Sequence, residues 1–316
     1  MEYRPLGASG LRVSTISLGS WLTFGSKVTP EDTRKLVQRA FDLGINLFDS
    51  ADVYANGRGE EALGYGVREL PRHQLVIATK AYFPMSEQPN DRGLSRKHLM
   101  ESVEGSLKRL GTDYIDLHQC HRADPDTPLE ETVRAYEDLI RQGKLLYWGV
   151  SEWPTAAIVD ACRIADRRNA YRPISNQPGY SMLRRQIERD VLPVSEREGM
   201  SQIVYSPLAQ GVLTGKYSDA TPDDSRAADA KRNQTMNKLL EPSAIQAAAK
   251  LRPLAEELGV SCAQLALAWC LRHASVASVI IGITRMSQLE DNAGAAGVEI
   301  PPRALARIEE LFPPGD

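Results

Sequence analysis

The chain has 316 residues and a formal net charge of −3, with acidic and basic side chains interleaved, which argues against a surface built for nucleic acid or anionic lipid. Hydrophobic residues make up 42% and charged residues 25%, the balance of a globular protein, and the opening MEYRPLGASG lacks the apolar run of a signal peptide. Its four cysteines (Cys120, Cys162, Cys262, Cys270) form no CxxC pair, so reduced thiols and a cytoplasmic location are expected.

Residues 3–13, YRPLGASGLRV, set a Gly- and Ser-rich turn between two β-prone pieces and predict a hairpin ahead of the main fold. A strand over 13–18 follows, then a helix opened by Thr29 and Pro30 and closed by Gly44. The apolar runs 45–48 and 75–78 are long enough for buried strands and too short for most helices, and 60–70 between them reads as a helix. The first run delivers Asp49 and then Tyr54, and the second delivers Lys80. An acid, a phenol and an amine after neighbouring parallel strands can converge where such folds place their ligands.

Ser95 caps a helix whose Leu99, Val103, Leu107 and Leu110 recur at helical spacing, and Gly111 ends it. The strand 114–117 runs out to Gln119 and His121. The TPLE at 127–130 reads as a capping box for a helix that stops at Gly143. A strand over 145–150 ends at Ser151, and a helix starts from Pro154. Next come a strand over 174–177, a helix over 186–198 and a strand over 203–205. Two further helices, 243–259 and 261–273, precede a last strand, 279–281, before Gly282.

Eight strand candidates alternate with helices, and no Pro-, Gly- or Ser-rich linker divides residues 1–316. The simplest closure is a single (β/α)8 TIM barrel with an N-terminal β-hairpin cap over 1–13. A long insertion separates its seventh and eighth strands, about residues 211–275. Within it the polar stretch 218–237 reads either as a lid over a bound ligand or as a plain surface loop.

Alone, Asp49 reads as a strand-end cap, Tyr54 as a loop aromatic and Lys80 as a solvated cation. Their register with the strand ends is what suggests chemistry. His118 and His121 lie an odd number of residues apart on a strand and so face apart, which argues against a shared metal and makes His118 a packing residue. His73, His98 and His273 read as surface groups. No GxGxxG follows a strand, and GVLTGKY at 211–217 departs from a P-loop at Gln210 and Tyr217. Trp21, Phe24, Tyr82, Phe83 and Trp153 follow strand ends and can line an apolar pocket beside Tyr54 and His121, favouring hydrophobic or aromatic aldehydes over sugars.

The motifs FDSADVY, VIATK, YIDLHQCH, YWGVSEW, NQPGYSM and YSPLAQGVLTGKY, each at a strand end, resemble the aldo-keto reductases. The likeness is to the branch related to the β subunits of voltage-gated potassium channels, and it spans nearly the whole chain. It implies a hydride-transfer oxidoreductase that reduces aldehydes or ketones, with a tetrad of Asp49, Tyr54, Lys80 and His121. It further implies cofactor contacts at Trp21 and Asp49, nicotinamide-amide contacts at Ser151 and Gln177, and Tyr205 stacking on the ring. Ser206, Pro207, Leu208, Gly211 and Lys216 correspond to the pyrophosphate wrap, and Gly282, Thr284, Arg285, Gln288, Asp291 and Asn292 to the adenosine-phosphate end. Many members carry arginine where Gln288 stands and glutamate at Asp291. NADPH is therefore expected with NADH as the alternative, Arg285 offering a cation for a 2′-phosphate.

In that reading Tyr54 is the general acid, Lys80 eases its proton release by charge, Asp49 holds Lys80 charged, and neutral His121 orients the carbonyl. The expected partner is a small carbonyl compound, without nucleic acid or membrane insertion, and homo-oligomerisation stays open. Two other classes compete: a redox-sensing, nucleotide-retaining subunit of a membrane partner with little turnover, and a lyase using Lys80 as a Schiff-base amine. Asp49 argues against the lyase by favouring the charged ammonium.

Overall fold

The structure is a computed structural model that describes residues 1–218, 221–223, 225–229 and 236–314. Strands β1 (Tyr3–Pro5) and β2 (Arg12–Ser14) form the antiparallel hairpin. Eight parallel strands then close a barrel: β3 (Ile16–Gly19), β4 (Leu47–Asp49), β5 (Val76–Ala81), β6 (Ile115–Cys120), β7 (Leu145–Val150), β8 (Ser175–Asn176), β9 (Ser201–Val204) and β10 (Val276–Ile281). They are bonded in chain order, β10 returning to β3. Apolar runs suit these strands because a parallel sheet in a barrel is buried on both faces.

Two apolar clusters follow from the pleat. Leu47, Val76, Ala78, Leu117, Ile203 and Ala277 fill the barrel with Leu6 and Val13 from the hairpin. The alternate residues Phe48 and Ile77 face the helical layer instead. The hairpin closes the N-terminal end: Gly7 N donates to Ser201 Oγ at 2.8 Å, and Arg4 Nη1 reaches the carbonyls of Leu271, His273 and Val276. The other end of the barrel is left for ligands.

Helices α1 (Pro30–Asp42), α2 (Arg58–Val67), α3 (Arg96–Leu110), α4 (Leu129–Arg141), α5 (Thr155–Arg168) and α6 (Val191–Arg197) connect the first seven barrel strands. The long connection before β10 carries α7 (Pro242–Ala249), α8 (Leu251–Glu257) and α9 (Cys262–Leu271), and α10 (Met286–Ala293) and α11 (Pro302–Leu311) end the chain. The polar stretch 218–237, expected as a lid or loop, lies in part outside the described residues.

Several boundaries differ from the sequence reading. The strand expected over 13–18 is broken at Thr15, where Asn46 accepts from Ser14 N at 2.7 Å and donates its own N–H to Ser14 Oγ at 3.1 Å. The helices expected over 186–198 and 243–259 are each split, the first into a 3₁₀ turn (Gln186–Glu188) and α6. Both α6 and α8 restart two residues before a proline, Pro193 and Pro253, which has no N–H for the preceding turn and fits only a first turn.

The capping box expected at Thr127 does not form: α4 begins with Pro128 at its N-cap and no side-chain cap bond, and the Thr127 hydroxyl donates to Asp124 Oδ2 at 2.8 Å. A complete box stands instead at the start of α9, between Ser261 and Gln264. His98 is buried rather than on the surface: it shares the inward face of α3 with Leu99 and Ser102. Among the described residues no single helix is long and apolar enough to cross a membrane.

Candidate active site

A cavity of about 1870 Å³ opens at the C-terminal end of the barrel. Small-ligand pockets usually fall within roughly 300–1,000 Å³, so this one has room for an extended ligand. Its floor is built from strand ends. Asp49 is the last residue of β4, Ser151 follows β7, Gln177 follows β8 and Tyr205 follows β9, while Lys80 lies within β5, one residue from its end.

Lys80 is fully buried, and its Nζ donates to Asp49 Oδ1 at 2.6 Å and to the Ser50 carbonyl at 2.7 Å. Burial pulls the ammonium's pKa down and the Asp49 carboxylate opposes that pull. The second Asp49 oxygen accepts from Gln177 Nε2 at 2.9 Å, and Ser151 Oγ donates to the Gln177 carbonyl at 2.8 Å. The ion pair and the two amide-binding candidates therefore form one network.

Tyr54 enters from the loop between β4 and α2. Ala55, Asn56 and Gly57 take left-handed backbone there, and a side chain at Gly57 would meet Arg109 Cδ at 2.8 Å as well as the strain of φ +87°. This tight reversal sets the Tyr54 ring edge-on to His121, with centroids 5.7 Å apart, and places Lys80 Nζ 5.1 Å from the ring centre. Among the described residues the Tyr54 hydroxyl makes no protein hydrogen bond.

The sequence reading has Lys80 acidify Tyr54, and here the structure differs. Burial, then the Asp49 carboxylate, push the phenol well above its ordinary value. Lys80 Nζ lies 5.1 Å from the ring centre and gives two of its three N–H donors to Asp49 and Ser50, so the carboxylate tempers the charge that the phenol feels. Burial, reinforced by Lys80 and Arg122, drops His121 to about 2, so the imidazole is neutral. Its Nδ1 is buried without a partner, which leaves Nε2 as the nitrogen open to the cavity.

Beneath these groups lies a second polar layer that sequence reasoning missed. Asp52 and Glu60 are both fully buried. Asp52 accepts from Ser102 Oγ at 3.0 Å and from Val53 N at 2.6 Å, while Glu60 accepts from Thr79 Oγ1 at 2.5 Å and Arg109 Nε at 2.6 Å. Burial and the neighbouring Glu60 charge push the Asp52 carboxyl up to about 7. The available signal was the AD that follows Ser50 in FDSADVY: Asp52 opens the turn that carries Tyr54.

Tyr205 is clamped at its hydroxyl, which donates to Glu152 Oε1 at 2.7 Å and accepts from Arg184 Nη1 at 3.0 Å. Arg184 also grips both Glu152 oxygens. Gly179 makes the approach workable, since a Cβ there would fall 2.1 Å from Arg184 Nη1. His118 sits outside the cavity, bonded through Nδ1 to Tyr136 Oη at 2.8 Å.

The residues expected around a dinucleotide line this one cavity: Trp21, Asp49, Ser151, Gln177 and Tyr205 at the floor, Ser206, Pro207, Leu208, Gly211 and Lys216 along one wall, and Gly282, Thr284, Arg285, Gln288, Asp291 and Asn292 at the far end. The wall has the strained backbone of a strap, with Ser206, Ala209, Gln210 and Gly211 all at positive φ. A Cβ on Gly211 would meet Lys216 Nζ at 2.9 Å, so the ammonium lies over bare backbone. At the far end Gln288 Oε1 accepts from Thr284 N at 2.8 Å, which leaves its amide N–H groups as donors. Cations and backbone donors of this kind fit a dinucleotide's phosphates.

Of the expected pocket aromatics, Trp21, Phe24, Tyr54 and His121 line the cavity, and Phe83 does too. Tyr82 and Trp153 do not: both pack into the layer between barrel and helices. Tyr82 and Phe83 lie just past the end of β5 with their rings edge-to-face, centroids 5.2 Å apart, and Phe83 is the one that reaches the cavity. Among the described residues no group of three or more His, Cys, Asp and Glu side chains is placed to hold a metal ion.

With this geometry in place, the sequence pattern of the Aldo/keto reductase family matches residues 15–312. The chain belongs to the aldo/keto reductase family. It is 46% identical over 319 residues to a probable voltage-gated potassium channel subunit beta of Arabidopsis thaliana, covering 99% of this chain and 97% of that protein. A rice protein (Oryza sativa subsp. japonica) with the same name is 44% identical over 318 residues, covering 98% and 96%. A putative subunit of the same kind from Schizosaccharomyces pombe is 40% identical over 324 residues, covering 99% and 93%. This aldo/keto reductase thus shares its length with proteins named for a channel, while its cavity floor carries the Lys80–Asp49 ion pair beside a phenol and an imidazole set edge to face.

Proposed function

We propose that the chain is an NADPH-dependent carbonyl reductase that turns aldehydes or ketones into alcohols, with Tyr54 as general acid. The observation that carries this is the pairing, at one cavity floor, of a free phenolic hydroxyl and a neutral imidazole above the buried Lys80–Asp49 pair. When bound, the dihydronicotinamide supplies the hydride. The chain does the rest. His121 Nε2 and the Tyr54 hydroxyl meet the carbonyl oxygen, and the Tyr54 proton is present throughout the neutral range and passes to that oxygen as charge builds.

The phenolate left behind is stabilised by the ammonium near its ring, and water entering the cavity restores the proton. Ser151 Oγ and Gln177 Oε1 keep acceptor capacity for a carboxamide, and the clamped Tyr205 ring is a rigid stacking face. Lys216, Arg285 and the Gln288 amide are assigned to the phosphates, with Arg285 the candidate for a 2′-phosphate and NADH the alternative where that contact is weak.

Incubation with NADPH and 4-nitrobenzaldehyde, followed at the nicotinamide absorbance band, tests the reading. Turnover is expected, and Tyr54→Phe should lower it by roughly 10²–10⁴-fold. Equal rates in the two proteins would remove Tyr54 from the mechanism.

The names of the relatives favour a second reading, a nucleotide-retaining subunit of a membrane partner. It requires tight nucleotide retention, slow turnover and co-purification with a membrane protein, and rapid multiple turnover counts against it.

A further inference from the structure

We propose that the carbonyl substrates of this site carry an anionic group, a carboxylate or its equivalent, which Arg122 binds. The inference rests on the reductase reading above and narrows its substrate class.

Arg122 directly follows His121 and lines the same cavity, half-buried. Its guanidinium lies over Phe83, with Cζ 5.4 Å from the ring centroid, and Phe83 in turn sits 4.9 Å from the His121 ring. Those two spacings put the guanidinium within about 10 Å of the carbonyl-binding imidazole, a span that a small substituted aromatic aldehyde can cross. The guanidinium's charge is felt at the reacting groups, since it lowers the pKa of both Tyr54 and His121.

Two neighbouring cations at the floor are matched. Lys80 is paired with Asp49 and Arg184 with Glu152. Arg122 makes no ion pair among the described residues, and its polar contact with protein is one bond from Nη1 to the His121 carbonyl at 2.5 Å. A guanidinium has five N–H donors in a planar fork, so most of them remain for a ligand. Such a fork matches a carboxylate in two parallel, charge-assisted bonds. Phe83 beneath it and Trp21 and Phe24 elsewhere on the wall supply apolar surface for the body of the substrate. The sequence reading expects hydrophobic or aromatic aldehydes; the Arg122 guanidinium adds an acid group to that aromatic body. The reaction is unchanged by it: hydride adds to the carbonyl carbon, the Tyr54 proton to its oxygen, and the carboxylate leaves as it came.

The test compares 4-formylbenzoate with 4-nitrobenzaldehyde, whose para groups are alike in shape and differ in charge. In the wild-type protein the anionic aldehyde should show the lower KM, and added salt should erode its advantage. In Arg122→Gln, kcat is expected to fall for both aldehydes, because Arg122 also assists Tyr54. The ratio of the two KM values should swing against the anion by roughly tenfold to a hundredfold. Arg122→Lys, which keeps the charge and loses the fork, should fall between. Calorimetric titration of 4-formylbenzoate gives a readout independent of turnover.

Reduction of the nitro compound without any preference for the anion, or an equal KM change for both in Arg122→Gln, overturns the anion site and leaves the reductase reading standing. No turnover of either aldehyde, combined with anion binding that Arg122→Gln abolishes, overturns the reductase reading and keeps the anion site. Absence of both turnover and binding overturns the two together.

Discussion

Lys80 Nζ lies 2.6 Å from Asp49 Oδ1, and the two side chains are 0% and 4% exposed. A pair this deep is held less by the attraction itself than by the cost of leaving either charge alone. Asp49→Asn leaves the buried ammonium without its counter-charge, and should lower stability by roughly 3–5 kcal/mol. The double variant Asp49→Asn/Lys80→Met removes both charges and should recover most of that loss. Urea unfolding at one pH measures both. A loss under about 1 kcal/mol in the single variant, or no recovery in the double, would contradict this account.

The two groups that meet the carbonyl are set far from neutrality in opposite directions. Burial holds Tyr54 protonated beyond its ordinary range and His121 unprotonated down to about 2. The pH profile of reduction should therefore lack an acid limb from His121 and should lose rate through Tyr54 only in strong alkali. A limb near the ordinary histidine pKa that persists in Asp52→Asn would show that the imidazole titrates in the working range.

Asp52 gives stability its own pH dependence. Its carboxyl rises from an ordinary 3.8 to about 7 in the folded chain, so the folded state holds a proton that the unfolded state has released. Between those values stability falls as pH rises, and the full penalty stands above the upper one. Wild-type protein should be less stable at about pH 8 than at about pH 5. Asp52→Asn, which cannot ionise, should flatten that difference and be the more stable of the two at the higher pH. Parallel slopes in the two proteins would show that another group is responsible.

The clamp on Tyr205 predicts a binding effect rather than a chemical one. Tyr205→Phe keeps the ring and loses the hydroxyl shared by Glu152 and Arg184. The dissociation constant for NADPH, read by fluorescence titration, should rise a few-fold to about tenfold, with kcat little changed. Arg184→Ala should cost more, because it also leaves the Glu152 carboxylate without its cation. A drop in kcat with unaltered nucleotide affinity would place Tyr205 in the chemistry instead.

Much of the architecture was local and therefore readable. Apolar runs of strand length, the Thr29 and Ser95 caps and the closing glycines depend on neighbours a few residues away, and the eight strands stand close to where those signals put them. The two split helices have local causes too, for Pro193 and Pro253 were in plain view, whereas the break at Thr15 is made by the distant Asn46. The Thr127 box is absent because the helix caps one residue later, at Pro128.

By itself the sequence determined the alternation of strands and helices, the closure of a parallel barrel, and the delivery of Asp49, Tyr54, Lys80 and His121 to one end of it, because pleat and helical period are properties of short segments. Tertiary structure decided what surrounds those groups. It buried Asp52 and Glu60 under the ion pair, turned Tyr82 and Trp153 away from the cavity, brought Arg184 against Gly179 to lock Tyr205, and left Arg122 without a counter-charge among the described residues. Each of these depends on contacts between segments distant in the chain, and desolvation, which sets the charge state of such groups, exists only once those segments have packed.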